Sequence, residues 1–248
     1  MLIAFETIAG STLSGTDGVV GTVNDLLFDS EQWIVRYVVV DTGKWLPGRR
    51  VLLPASVLGP ADWKQHAFTV PLTRQAVEDS PDVDTQRPVS RQQEAKLMSH
   101  YSVPYYWGPA GVALVGSGPG TVPLQAHNSP LQAGGSDADA SGLRSAEEVK
   151  GYYIHATDGD IGHVEEFVID DESWAVQYIV VDTKNWLPGR SVLISPHWIG
   201  SISWADATVR ANMTREEIKG SPEYDPHSPV NRDYEERLHD YYGRPSYW

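Results

Sequence analysis

Apolar residues along this chain alternate with polar ones at period two, in short bursts separated by turn residues. The strongest burst runs from Trp33 to Asp41. There Val35, Tyr37 and Val39 alternate with Arg36, Val38 and Val40, and Arg36 marks the wetter face. Val19 to Asp29 precedes it as a strand, entered through Thr16, Asp17 and Gly18, which read as a hairpin turn because Gly tolerates positive φ. Asp41 to Gly48 reads as a longer hairpin loop, and Arg50 to Leu53 as the returning strand. Two further short strands fall around Leu58–Trp63 and Phe68–Leu72. The period then changes: Ser90 to Tyr101 reads as a helix, and an aromatic tip follows at Tyr105, Tyr106 and Trp107.

A shift of 141 residues lays the chain on itself without a gap. Of the 31 positions from Trp33 to Trp63, 16 are identical in Trp174 to Trp204. Thr157 to Gly159 repeats the first turn, and Gln177 stands where Arg36 does. Thr214 to Glu217 reads as a capping box opening a short helix that Ser221 and Pro222 stop. Asn231 to Tyr242 reads as the second helix, ended by Gly243. The expected organisation is residues 1–107 as repeat 1, a Gly/Ser/Pro/Ala linker over 108–142, and residues 143–248 as repeat 2. The expected fold class is mainly β: two tandem small antiparallel barrels of about six strands, each with a short helical, aromatic C-terminal extension.

Three stretches together resemble the PRC-barrel family. They are the strand Gly21 to Asp29 with its turn, the strand Tyr37 to Thr42 with the hairpin Trp45 to Arg49, and Val51 to Pro54. This small barrel also occurs in the photosynthetic reaction-centre H subunit and in a ribosome-maturation factor. The resemblance covers roughly residues 8–72 and 149–213, and the aromatic tail resembles an extension on stand-alone bacterial members. It implies a protein-binding adaptor and carries no catalytic residues over. The H subunit's membrane helix and the ribosome factor's extra N-terminal domain have no counterpart, so neither role transfers.

Charge narrows the partners. Net charge is −14, with repeat 1 holding 9 basic and 12 acidic groups and repeat 2 holding 10 and 19. Phosphate backbones are held by Lys/Arg clusters, and none is evident, so no nucleic acid is expected. No apolar run approaches the length of a membrane span. Cysteine is absent, and Met1 to Glu6 lacks a basic start, so the expectation is a cytoplasmic chain.

Chemistry-bearing residues are sparse. No His keeps its place across the repeats and no metal-ligand spacing occurs, so neither a catalytic residue nor a metal or other cofactor is expected. Asp41 with Arg49 and Asp182 with Arg190 flank the hairpin loop in both repeats, as a partner site, or as an ion pair or Asx-turn closing the loop. The acidic run Glu165, Glu166 and Asp170 to Glu172 reads as a solvated rim or turn. Candidate partner-binding residues are Trp45 and Arg49, Trp186 and Arg190, and the tails Tyr105, Tyr106, Trp107, Tyr241, Tyr242, Tyr247 and Trp248. The tails either pack on their own repeat or cross to another. The functional expectation is a non-enzymatic protein-interaction or assembly adaptor, acting on a protein partner or on itself as a homo-oligomer. The alternatives are a self-assembling structural subunit linked by its tails, and a ligand protein or enzyme using a groove between barrels.

Overall fold

The structure is a computed structural model, and it describes residues 1–83, 89–107, 142–183, 190–226 and 228–246. Repeat 1 opens with β1 (Leu2–Ala4) and α1 (Phe5–Ile8). Then come β2 (Thr12–Gly15), β3 (Gly18–Asp29), β4 (Ile34–Asp41), β5 (Arg50–Pro54), β6 (Ala61–Asp62) and β7 (Ala67–Thr69), followed by α2 (Arg74–Glu78) and α3 (Arg91–His100). Repeat 2 opens with β8 (Leu143–Ser145) and α4 (Ala146–Val149). It continues through β9 (Tyr153–Ala156), β10 (Gly159–Asp170), β11 (Val176–Asp182), β12 (Ser191–Ile194), β13 (Ile199–Ser203), β14 (Thr208–Ala211), α5 (Arg215–Gly220), β15 (Glu223–Tyr224) and α6 (Arg232–Tyr242).

Two sheets form, with the same order. One runs β5-β4-β3-β2-β7-β6, and the other runs β12-β11-β10-β9-β14-β13, with β15 added beyond β12. Each is a path of paired strands rather than a ring. The expected all-antiparallel pairing needs one correction per repeat: β2 lies parallel to β7, and β9 parallel to β14. The hairpin β6–β7 brings the chain back alongside β2 pointing the same way, which adjacent-strand reasoning does not foresee.

The long strands do two jobs. β3 and β10 each span 12 residues and carry register shifts at matching places, between Val23/Asp25 and Leu27/Phe28 and between Val164/Glu166 and Val168/Ile169. Such bulges bend a strand. Gly21 and Gly162 let the neighbouring strand close up, because a Cβ there would overlap the carbonyl oxygen of Asp41 or Asp182. The first part of each long strand pairs with its own repeat, β3 with β2 and β10 with β9.

The last part pairs with the other repeat. Leu2, Ile3 and Ala4 face Asp170, Ile169 and Val168 across an antiparallel ladder. Leu143, Arg144 and Ser145 face Asp29, Phe28 and Leu27. The two registers differ by the same 141-residue shift that relates the sequences. The halves therefore exchange their N-terminal arms reciprocally. Each arm continues as a short helix whose apolar side is buried: Phe5 and Ile8 in α1, Ala146 and Val149 in α4. One core runs through both repeats, with Phe28 and Phe167 meeting at 5.7 Å between ring centroids.

The α-helices behave as their caps dictate. Ser90 and Thr214 form capping boxes with Gln93 and Glu217, Asn231 caps α6, and Gly243 ends it at φ +58°. Among the described residues, no helix is long and apolar enough to cross a membrane.

Because Phe5 is 1% exposed yet sits in an exchanged arm, Phe5→Ala should destabilise the chain by about 3 kcal/mol. The loss should appear as an earlier single transition in urea, followed by tryptophan fluorescence and by far-UV circular dichroism. Two separated transitions, with only half the signal moving, would show that the repeats do not share one core.

Candidate functional site

The hairpin candidates fold back onto their own repeat. Trp45 is half-buried and donates its indole N–H to the Val20 carbonyl at 2.8 Å, with the Arg74 guanidinium 5.7 Å from its ring centroid. Arg49 does not pair with Asp41. Its guanidinium donates to the carbonyls of Glu78 and Ser80, where α2 ends, and Asp41 instead accepts from the Gly43 N–H at 2.8 Å. Arg190 repeats the contact on the Ser221 carbonyl. These arginines hold the turn after each short helix to the hairpin loop of its own sheet, and Asp41 shapes its own loop. Trp186 lies outside the described residues.

The tails are anchored by a buried group absent from the sequence-based candidates. Glu94 of α3 is fully buried and accepts from Tyr37 at 3.2 Å, from Tyr106 at 2.5 Å and from Arg91 at 3.0 Å. Burial raises the Glu94 carboxyl above its usual range, and these hydrogen bonds oppose that rise. Burial and then the facing Glu94 push the Tyr37 phenol up. Arg36 stacks 3.9 Å over the Tyr106 ring, and Arg91 lies 4.8 Å from Trp107. In repeat 2, Tyr178 Oη stands 2.9 Å from Glu235 and 3.1 Å from His239 Nε2, with Arg232 3.3 Å from Glu235. Tyr242 packs on Trp198 at 4.6 Å. Tyr106, Trp107 and Tyr242 are half-buried on their own repeat, while Tyr105 and Tyr241 remain 46% and 42% exposed. Tyr247 and Trp248 lie outside the described residues. The signal that could have found Glu94 and Glu235 is an acid kept in both repeats on the apolar side of the tail helix.

Between the repeats the structure builds a seam with two related clefts. Trp33 and Trp174 both adopt positive φ, +57° and +60°, a strained state for a bulky residue. Asp29 and Asp170 hold the turns that deliver them, accepting from backbone N–H groups at 2.8–3.3 Å. The strain is used at once. The Trp33 carbonyl accepts from Val176 N–H, and the Trp174 carbonyl from Val35 N–H, each at 2.8 Å. Flanking this crossing, Trp33 faces Trp204 over a cleft of about 430 Å³ lined also by Ser30, Glu31, Pro196 and Ser201. On the other side, Trp174 faces Trp63 over about 570 Å³ with Asp171, Glu172, Pro60 and Met1. Most lining positions correspond at the 141-residue shift. Trp63 and Trp204 are half-buried, and Glu31 and Glu172 are exposed at the mouths. Arg144 of the exchanged arm lies 4.1 Å over Trp204, and Trp63 donates to Asp171 at 2.8 Å.

Each exchanged helix is received by a carboxylate. Asp25 accepts from Ser145 Oγ at 2.5 Å and from the Glu147 N–H at 3.1 Å. At the matching position Glu166 accepts from the Glu6 N–H at 3.2 Å and from the Phe167 N–H at 2.8 Å. The solvated-rim expectation fails for Glu166, which is 8% exposed because the arm covers it. Burial raises its pKa to about 7, against hydrogen bonds from Phe167 and Glu6 and the charge of Lys150, which itself bonds Glu6 at 2.9 Å. Burial also raises Asp25. Among the described residues, no group of three or more His, Asp and Glu side chains stands together as a metal site.

Glu166 therefore keeps its proton in the folded state at pH values where the unfolded chain has lost it. Its contribution is full below about pH 4.5 and is lost as pH rises through about 7. The expected loss is up to about 3 kcal/mol across that window. Urea melts of Glu166→Gln should show a flatter stability-versus-pH curve than the parent. Parallel curves for parent and Glu166→Gln would contradict the assignment.

A comparison with curated proteins found no match to this chain. Residues 7–73 match the PRC-barrel domain, a stretch that reaches from α1 through β7 and contains the Trp33 turn and one wall of the second cleft. Repeat 2 follows the same strand order at the same spacing. The first repeat thus contains a PRC-barrel domain, over residues 7–73.

Proposed function

We propose that this chain is a non-enzymatic interaction or assembly module whose partner docks in the two seam clefts. The observation that carries this is the division of labour among groups both repeats keep. The shared Tyr–Glu–Arg sets and the loop arginines bond to the repeat's own side chains and carbonyls. Among the described residues, what both repeats leave open is a tryptophan-walled cleft with a glutamate at its mouth. Half-buried aromatics in a concave, partly preformed site are the usual anchors of protein recognition. The mouth glutamates and the net charge of −14 favour a partner segment carrying Lys or Arg. Two clefts related by a pseudo-two-fold suit a partner with two copies of that segment, which gains affinity from bivalency. The PRC-barrel assignment agrees with an interaction role.

The test uses a photo-crosslinking amino acid in the full chain at Ser201, at Pro60 and, as control, at exposed Lys96. In host extract the two cleft positions should yield the same discrete crosslinked protein, and Lys96 should not. Trp204→Ala should remove most of the Ser201 product. Equal labelling from all three positions, or no product at either cleft, overturns the reading.

A further inference from the structure

We propose that the reciprocal arm exchange also forms between chains, so that a second copy supplies the arms, repeat 1 of one chain closing on repeat 2 of another. The idea deepens the assembly reading but rests on the seam rather than on the clefts.

The seam's bonds do not depend on which chain supplies them. Each repeat lacks the strand that completes the end of its long strand, and the other repeat provides it. The arms leave their own repeats at matching glycines, Gly10 at φ +81° and Gly151 at φ +89°, whose N–H groups bond the carbonyls of Val23 and Val164 at 2.7 and 2.8 Å. A residue with a Cβ is disfavoured there, so this is a fixed exit turn. Only residues 108–142 join the two halves covalently, and the same contacts can form across two chains. Reciprocal exchange of an identical element is a low-cost route from monomer to dimer.

The side chains also choose the pairing. Repeat 1 lends the large Phe5, and repeat 2 lends Ala146 at the matching position. Asp25 receives the Ser145 hydroxyl, whereas the longer Glu166 faces an arm with Ala4. Lys150 of repeat 2 meets Glu6 of the repeat 1 arm. Two copies of repeat 1 would crowd Phe5 into the space of Ala146, and two copies of repeat 2 would leave that of Phe5 empty. The exchange therefore joins unlike repeats.

Covalent linkage of two modules typically gives an effective concentration on the order of 1 mM. Closure within one chain wins at micromolar protein, and exchange between chains grows toward that value.

The chain has no cysteine, which allows a direct test. Full-length Ile3→Cys and full-length Ile169→Cys are mixed, unfolded together and refolded under mild oxidation. These positions face one another across the ladder, at a spacing a disulfide spans. The disulfide-linked heterodimer should rise from a few per cent near ~10 µM to about half near ~1 mM. Ala4→Cys with Val168→Cys is the second pair, should Ile169→Cys fail to fold. Ile3→Cys mixed with exposed Tyr153→Cys reports random collision. Heterodimer no higher than this control at every concentration overturns the proposal. The double variant Ile3→Cys/Ile169→Cys in one chain separates the causes. If it closes internally, the exchange within the chain stands and only its formation between chains fails. Loss of cleft crosslinking with heterodimer intact would remove the docking reading and leave this one.

Discussion

The structure depends on an unpaired edge. β3 and β10 run on past their own hairpins, and their final residues would face the seam with unpaired N–H and C=O groups. A buried backbone group without a partner costs as much as a lost hydrogen bond, so the edge must be covered. Each repeat covers the other's edge with its own first strand. Because the covering is mutual, the relative orientation of the repeats follows from two short ladders related by a pseudo-two-fold. The strained Trp33 and Trp174 carbonyls, the receiving carboxylates Asp25 and Glu166, and the clefts beside them all take their places from that crossing.

This constraint separates structural polarity from open surface. Ionisable groups that look available in the sequence are committed once the chain is folded. Arg49 and Arg190 tie down the turns after α2 and α5. Glu94 and Glu235 hold the tail helices. Glu166 sits under an arm, and its raised pKa follows from that cover. Among the described residues, the surface left with aromatic character lies at the clefts and at single rings such as Tyr105, Tyr153 and Tyr241.

The sequence showed the strands, hairpins and capped helices because each is written locally. Period-two alternation marks β4, and Ser90, Thr214 and Asn231 mark the helix starts. The parallel pairings are non-local and leave no local pattern. The arms hid for a similar reason. Leu2 to Ile8 is too short to show a period, and its partner strand lies more than 160 residues away. The repeat itself held the clue: Leu2 falls on Leu143 at the same shift, ahead of any stretch the barrel resemblance covers. Of the two ways Asp41 could close its loop, an ion pair with Arg49 or an Asx-turn, the turn forms, because the Arg49 guanidinium goes to the carbonyls at the end of α2.

The central claim is that each repeat's first strand belongs to the other repeat. Nuclear Overhauser contacts between backbone protons of isotopically labelled full-length protein test it without altering a residue. The account predicts cross-strand contacts of Ile3 with Ile169 and of Arg144 with Phe28. Contacts of Ile3 with Phe28 and of Arg144 with Ile169, each arm lying on its own repeat, would contradict it.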